Sequence, residues 1–293
     1  MLCGGLLFGI LNHLQAQIEL KKIPIETLQG KLELWIHTHS ENGLVYLGLH
    51  DDENTSVAAG LESLPKTGGR LIELKHIGIL SDTARYVSIQ KKQKIYTFDP
   101  NRIFSLSDSV RAQTLLLHRR QHQTIHGLRL LKSTQIPTEA ECMEASRTWL
   151  KAVADTILAY IRPEEVRLLV SLHNNHSYGG GCDCKTGKWA LGSYNLNHYI
   201  NGNTLEKASC EAVFINPRQK MSDFLVVLNP NHFKISQEKG ANVVLQSEKP
   251  IDDGSLSVFS SIQKIPYVNV EAKRGNLTEQ IFLLELIQSF LSE

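Results

Sequence analysis

From Leu32 onward the chain alternates between short apolar runs that read as strands and longer stretches with helical spacing. Leu32, Leu34 and Ile36 sit on one side of a polar alternation over residues 30–39, the period of a half-buried strand. After a turn at Glu41-Asn42-Gly43, the run from Leu44 to Leu49 is almost continuously apolar, as expected of a strand covered on both faces. A helix is expected over 54–64, Thr67-Gly68-Gly69 breaks it, and Arg70–Lys75 reads as the next strand. Residues 44–75 therefore form a strand–helix–strand unit. Strands follow at 84–90 and 94–98, with Asp99-Pro100 opening a turn. Helices are expected at about 108–119 and at 137–160, the second with an apolar face of Trp149, Val153, Ile157 and Leu158. The pattern goes on with a strand at 166–173 ending on a histidine, a Gly-rich loop over 174–182, and apolar runs at 222–228, 242–246 and 266–272. A helix over about 277–291 closes it. No linker-like stretch interrupts this alternation. The expectation is α/β: a single domain over 18–293 with a mixed, mostly parallel central sheet flanked by helices.

The first residues stand apart. Met1 to Leu11 is a short apolar run with a small residue, Ala16, near a possible cleavage site after it, and it is too short for a membrane-spanning helix, which needs roughly 20 apolar residues. It fits the apolar core of a secretory signal peptide over 1–17, although its only positive charge is the terminal amine. That points to a periplasmic or secreted protein, the other reading being a buried first strand. No later segment is long and apolar enough to span a membrane. Among 293 residues, 42% are hydrophobic and 21% charged, with a net charge of +1, so no basic field points to a nucleic-acid partner. Without the leader, Cys142, Cys182, Cys184 and Cys210 remain, an even number whose pairing the sequence does not choose. Cys182-Asp183-Cys184 is tighter than the usual two-residue gap of structural zinc sites.

Polar residues of a particular kind recur at the ends of the apolar runs. His50 and Glu53, in His50-Asp51-Asp52-Glu53, are three residues apart; on a helix they would share a face and reach one metal ion. Further along come Asn101-Arg102, then His173 in Ser171-Leu172-His173, then Glu271 after Val270. Each alone is weak. A histidine ending a strand is usually a surface hydrogen-bonder, and an Asn-Arg pair after Asp-Pro can simply shape a turn. As an ordered set they place chemistry at strand ends, where a sheet fixes side chains at a cleft floor.

In that order and spacing the chain resembles the zinc metallocarboxypeptidase superfamily, carboxypeptidase A-like enzymes together with their succinylglutamate desuccinylase and aspartoacylase cousins. The resemblance covers roughly residues 44–290. It implies a zinc-carboxypeptidase-like fold and one Zn2+ per chain bound by His50, Glu53 and His173, with water in the fourth position. It implies Glu271 as general base, Asn101 and Arg102 as a clamp for a substrate carboxylate, and Arg85 as the donor that stabilises an oxyanion. The expected activity is hydrolysis of an amide or peptide bond in a small carboxylate-bearing substrate, with peptidoglycan-derived peptides one class. The alternatives are an N-acyl amino acid deacylase of the desuccinylase/aspartoacylase type, or a non-catalytic binding protein on the same scaffold. The substrate is then a small peptide or an N-acyl amino acid.

Some positions depart from the family pattern. Asp51 stands where a small residue is usual, so one of Asp51 and Asp52 is expected to face solvent or to support a ligand. His176 competes with His173 as ligand, but His173 ends the strand. The mobile tyrosine of the digestive enzymes has three candidates, Tyr178, Tyr194 and Tyr199. His37 and His39 share a strand face by spacing with no carboxylate to match, and read as structural.

Overall fold

The computed structural model describes residues 18–26, 32–77, 85–118, 135–175, 182–183, 188–189, 194–201 and 204–292. The signal-peptide expectation for 1–17, and with it Cys3, His176, Tyr178 and Cys184, lies outside them.

The described part is α/β. The first two strands, β1 (Glu19–Pro24) and β2 (Leu32–Thr38), lead into β3 (Leu44–Gly48), a helix at Asn54–Thr67 and β4 (Arg70–His76). A two-stranded ribbon follows, β5 (Val87–Lys91) paired antiparallel with β6 (Lys94–Phe98). Helices at Asp108–His118, Glu139–Ala145 and Lys151–Ile161 precede β7 (Leu168–Asn175). A small ribbon of β8 (Cys182–Asp183) and β9 (Lys188–Trp189) comes next. The last part holds β10 (Cys210–Phe214), β11 (Phe224–Val227), β12 (Val243–Gln246) and β13 (Tyr267–Lys273). Helices at Pro230–Glu238, Leu256–Gln263 and Leu277–Ile287 alternate with them. Nine strands form one mixed sheet in the order β1-β2-β4-β3-β7-β13-β11-β12-β10. Its centre, β4-β3-β7-β13, is parallel throughout; β11 and β12 are also mutually parallel, while β1, β2 and β10 pair antiparallel toward the edges.

Burial explains the pattern of each run. Val45 and Leu47 point into one core, with Phe98, Trp149, Val153 and Ile157, whereas Leu44 and Tyr46 point into the other, with Leu64, Leu284 and Ile287. A strand wedged between two helical layers has no polar face, so 44–48 reads as continuous rather than alternating. Helix Asn54–Thr67 lies close on the sheet: a Cβ added to Gly60 would sit 2.4 Å from Leu71 Cδ1. No helix among the described residues is long and apolar enough to cross a membrane.

Several elements differ from their sequence outlines. The expected helix over 137–160 is divided. A capping box between Thr138 and Glu141 starts it at Glu139, and a wide turn at Ser146–Leu150 separates its two halves. The strands carrying His173 and Glu271 do not stop there; each runs two residues further, because Asn174 and Asn175 pair with Ala272 and Lys273. Glu19–Pro24 and Cys210–Phe214 are edge strands that the sequence did not mark clearly. They are mostly exposed or half-buried and so lack the apolar signal. Of the four cysteines whose pairing the sequence leaves open, Cys210 is a free thiol and Cys142 is buried.

Candidate metal centre and its cleft

Strands β3, β7 and β13 are parallel neighbours, so their carboxyl ends lie on one edge of the sheet. His173 is the direct cross-strand neighbour of Glu271. The chain leaves β3 at Gly48, and His50 and Glu53 follow in a tight turn closed by Glu53 N–H donating to His50 O at 3.2 Å. The expected helical face is thus a turn, with Glu53 at the residue just before the helix. It brings the pair together all the same: His50 Nδ1 lies 3.1 Å from Glu53 Oε1. His173 Nδ1 lies 3.0 Å from Glu53 Oε2, and the two imidazole centroids are 5.1 Å apart.

His50, Glu53 and His173 are each 2% exposed, and one ligand atom from each lies within 4.8 Å of the others. This cluster can hold a metal ion. The electrostatics agree. Burial and Arg85 oppose a charge on His50, yet Glu53 and Asp99 prevail and push its pKa up to about 9. Burial likewise opposes ionisation of Glu53, but the two imidazoles hold it well below the usual carboxylate range. His50 Nδ1 is buried and has no hydrogen-bond partner despite its 3.1 Å approach to Glu53. The approach departs from the straight N–H···O line of a hydrogen bond.

Each imidazole is oriented by its other nitrogen. His50 Nε2 donates to Asp99 Oδ1 at 2.9 Å, and His173 Nε2 lies 2.9 Å from Ser171 Oγ. Once it has lost its extra proton, a neutral His50 donating from Nε2 would present Nδ1 as a lone pair toward Glu53, the arrangement that metal-bound histidines share. Asp99 is fixed in turn. It accepts from Asn101 N–H at 2.8 Å and caps the short helical turn Pro100–Arg102, and its own N–H donates to Thr114 Oγ1 at 2.8 Å. A second buried network sets the spacing between the ligand elements. Asn174 Oδ1 accepts from Ser56 N–H at 2.9 Å, and its amide nitrogen donates to Gln280 at 3.3 Å.

The β5–β6 ribbon delivers two site residues at once. Val87 pairs with Phe98, so the residues just outside that pair, Arg85-Tyr86 and Asp99, emerge side by side. Arg85 Nη1 donates to Glu53 Oε1 at 2.8 Å. Burial disfavours its charge, but Glu53 and Asp99 raise its pKa above the usual arginine value. Arg85, Arg102, His173, Tyr194, Tyr199 and Glu271 all border one cavity of about 290 Å³. Glu271 is 5% exposed and accepts from Asn269 Nδ2 at 3.0 Å. Burial raises its pKa, with His173 and Asn269 working in the opposite direction. A buried carboxylate with a raised pKa beside a metal-binding cluster has the character of a proton acceptor.

Arg102 is placed less simply. It pairs with Asp253, and its other terminal nitrogen is 3.9 Å from Glu206. Asn101 Oδ1 accepts from Leu256 N–H at 3.3 Å and so ties the turn to the next helix. Gly254, at φ +80°, lies against this turn; a Cβ there would meet Arg102 O at 2.6 Å. Gly254→Ala is therefore expected to cost about 1–3 kcal/mol from backbone strain alone, read as a lower midpoint in denaturant titration.

Asp51 and Asp52 take neither expected role. Asp51 pairs with Lys75 at 2.5 Å and accepts from His76 N–H at 3.1 Å, and Asp52 faces Arg274 at 4.0 Å. Both are buried and held by cations outside the cluster. His37 has a carboxylate after all, Glu73 at 2.7 Å, while His39 lies beyond the end of β2. Of the tyrosine candidates, Tyr194 and Tyr199 line the cavity with their hydroxyls bonded to each other. Asp99 went unmarked as a ligand support although it adjoins Asn101-Arg102, because a turn residue and an imidazole partner look alike in sequence. Glu206 and Asp253 carried no signal: they arrive from a short helix, Leu205–Ala208, and a loop that are both distant in sequence. The chain matches no protein-family model and none of the curated proteins with which it was compared.

Proposed function

We propose that the protein is a zinc-dependent hydrolase of an amide or peptide bond in a small carboxylate-bearing substrate, built on a zinc-carboxypeptidase-like fold. The observation that carries this reading is a buried His-Glu-His cluster whose His173 borders the same cavity as Glu271, Arg85 and Arg102. The donor set supports zinc. Imidazole nitrogen and carboxylate oxygen bind it at about 2.0–2.2 Å, which makes the edges between tetrahedral ligands roughly 3.3–3.6 Å. The His50–Glu53 and His173–Glu53 approaches of 3.1 and 3.0 Å, one to each carboxylate oxygen, are close to that edge length. Three protein ligands leave the open position that distinguishes a catalytic from a structural site.

Zinc held there would supply Lewis acidity, lowering the pKa of a bound water toward about 7 and polarising a carbonyl. The chain's own groups supply the rest. Glu271 takes the proton from the attacking water and returns it to the leaving amine, a role for which a raised pKa suits it. Arg85, beside Glu53 and bordering the cavity, is the donor for negative charge developing on the carbonyl oxygen. Arg102, its backbone fixed by the Asp99-capped turn, offers a planar fork to the substrate carboxylate. The cavity of about 290 Å³ suits a small substrate.

Two experiments test this. Hydrolysis of short N-blocked peptides and N-acyl amino acids should be abolished by chelation and restored by zinc; activity that survives complete metal removal would overturn the reading. Asp99→Asn keeps a side chain able to cap the turn but weakens the hold on His50. It should lower zinc affinity by about 10–100-fold, measured by competition with a chelator of known affinity.

A further inference from the structure

We infer that the substrate residue held at Arg102 carries a cationic side-chain amine as well as its carboxylate, as a lysine-like residue does. This deepens the hydrolase reading and rests on it. A site for a purely anionic group would leave its guanidinium open to that group. Arg102 instead faces two carboxylates brought by separate elements, Glu206 from the turn of helix Leu205–Ala208 and Asp253 from the loop before Leu256–Gln263. Their side chains are 22% and 13% exposed. A substrate carboxylate that takes Arg102 must displace Asp253, and both acids then lose the guanidinium they face in a partly desolvated cleft. Unpaired charge there is costly. An ammonium on the same substrate residue returns the missing charge.

An independent feature points the same way. Asn269 forms part of the cavity wall, is 8% exposed, and its Oδ1 is buried with no hydrogen-bond partner. Its Nδ2 already donates to Glu271 Oε1 at 3.0 Å, so the amide is oriented and the oxygen is the end left over. A buried acceptor without a donor calls for a ligand N–H. An ammonium, with three donors and no acceptor, suits Asp253, Glu206 and, after a small shift that uncovers it, this oxygen. Tyr267, Asn269 and Glu271 alternate along β13 and share one side of it, which places this acceptor one pleat below the general base.

The test uses the zinc-loaded full chain and two ligands that differ only in the amine, Nα-acetyl-lysine and Nα-acetyl-norleucine, with Nα-acetyl-glutamate as the anionic control. Calorimetric titration should show the lysine ligand binding at least about tenfold more tightly than norleucine. Asp253→Asn and Glu206→Gln should each bring that ratio toward one without weakening the norleucine ligand. N-blocked dipeptides ending in the same residues should show the same order in kcat/KM. Equal binding, preference for glutamate, binding of none, or a ratio unchanged in both variants overturns the proposal. Lysine preference without hydrolysis of any dipeptide leaves the cationic pocket standing and removes the hydrolase reading. Hydrolysis without lysine preference does the reverse.

Discussion

Replacing Glu271 by Gln is expected to leave zinc binding intact and to lower turnover by about 10²–10⁴-fold, the range that a positioned general base contributes. The substitution is nearly isosteric and keeps an oxygen to accept from Asn269 Nδ2, so the wall of the cavity should hold its shape. What disappears is a carboxylate that burial has made a stronger base than an ordinary glutamate. The check pairs two measurements on one preparation, zinc content and kcat. Undiminished kcat removes Glu271 from the reaction. Loss of zinc together with kcat makes it a structural support of the cluster rather than its base.

Glu53→Ala should have the larger structural effect. Glu53 contacts both imidazoles and Arg85, so its removal takes away a ligand and strands the charges it neutralised. Metal binding should vanish at any accessible zinc concentration. Breaking a buried pair by removing one partner costs about 3–5 kcal/mol. The lower end is expected in the metal-free protein, because His50 keeps Asp99 and the Arg85 side chain is 30% exposed and reaches solvent. Denaturant titration of metal-free protein measures this directly. A variant that keeps wild-type stability and binds zinc would show that the His-Glu-His cluster is not the metal site.

The parts of this architecture that were legible in the sequence are those for which burial writes a pattern. Strands β3, β7 and β13 lie between two helical layers and read as apolar runs, so the polar residue near each end stood out. The edge strand Glu19–Pro24, exposed along most of its length, left almost no trace. Strand limits were less legible than strands. His173 and Glu271 looked terminal because the apolar pattern stops there, whereas pairing continues through Asn174 and Asn175, whose side chains are buried by hydrogen bonding instead. At the cluster, the residue types and their order were visible. The means of orienting them were not: Asp99 acts on His50 across a gap of 49 residues, and Asp253 meets Arg102 across 151. The fates of Asp51 and Asp52 show the same limit. Adjacent acids next to a ligand suggest support for it, but Lys75 and Arg274 turn both away, and those contacts exist only once β4 and β13 are in place.

The central claim is that His50, Glu53 and His173 hold one zinc ion. Its most direct test is elemental analysis of the full chain, stripped of metal, reloaded with excess zinc and desalted, beside His173→Ala treated identically. The wild-type chain should retain about one zinc and the variant far less. A wild-type chain that retains none, or a variant that retains as much as the wild type, would contradict the claim.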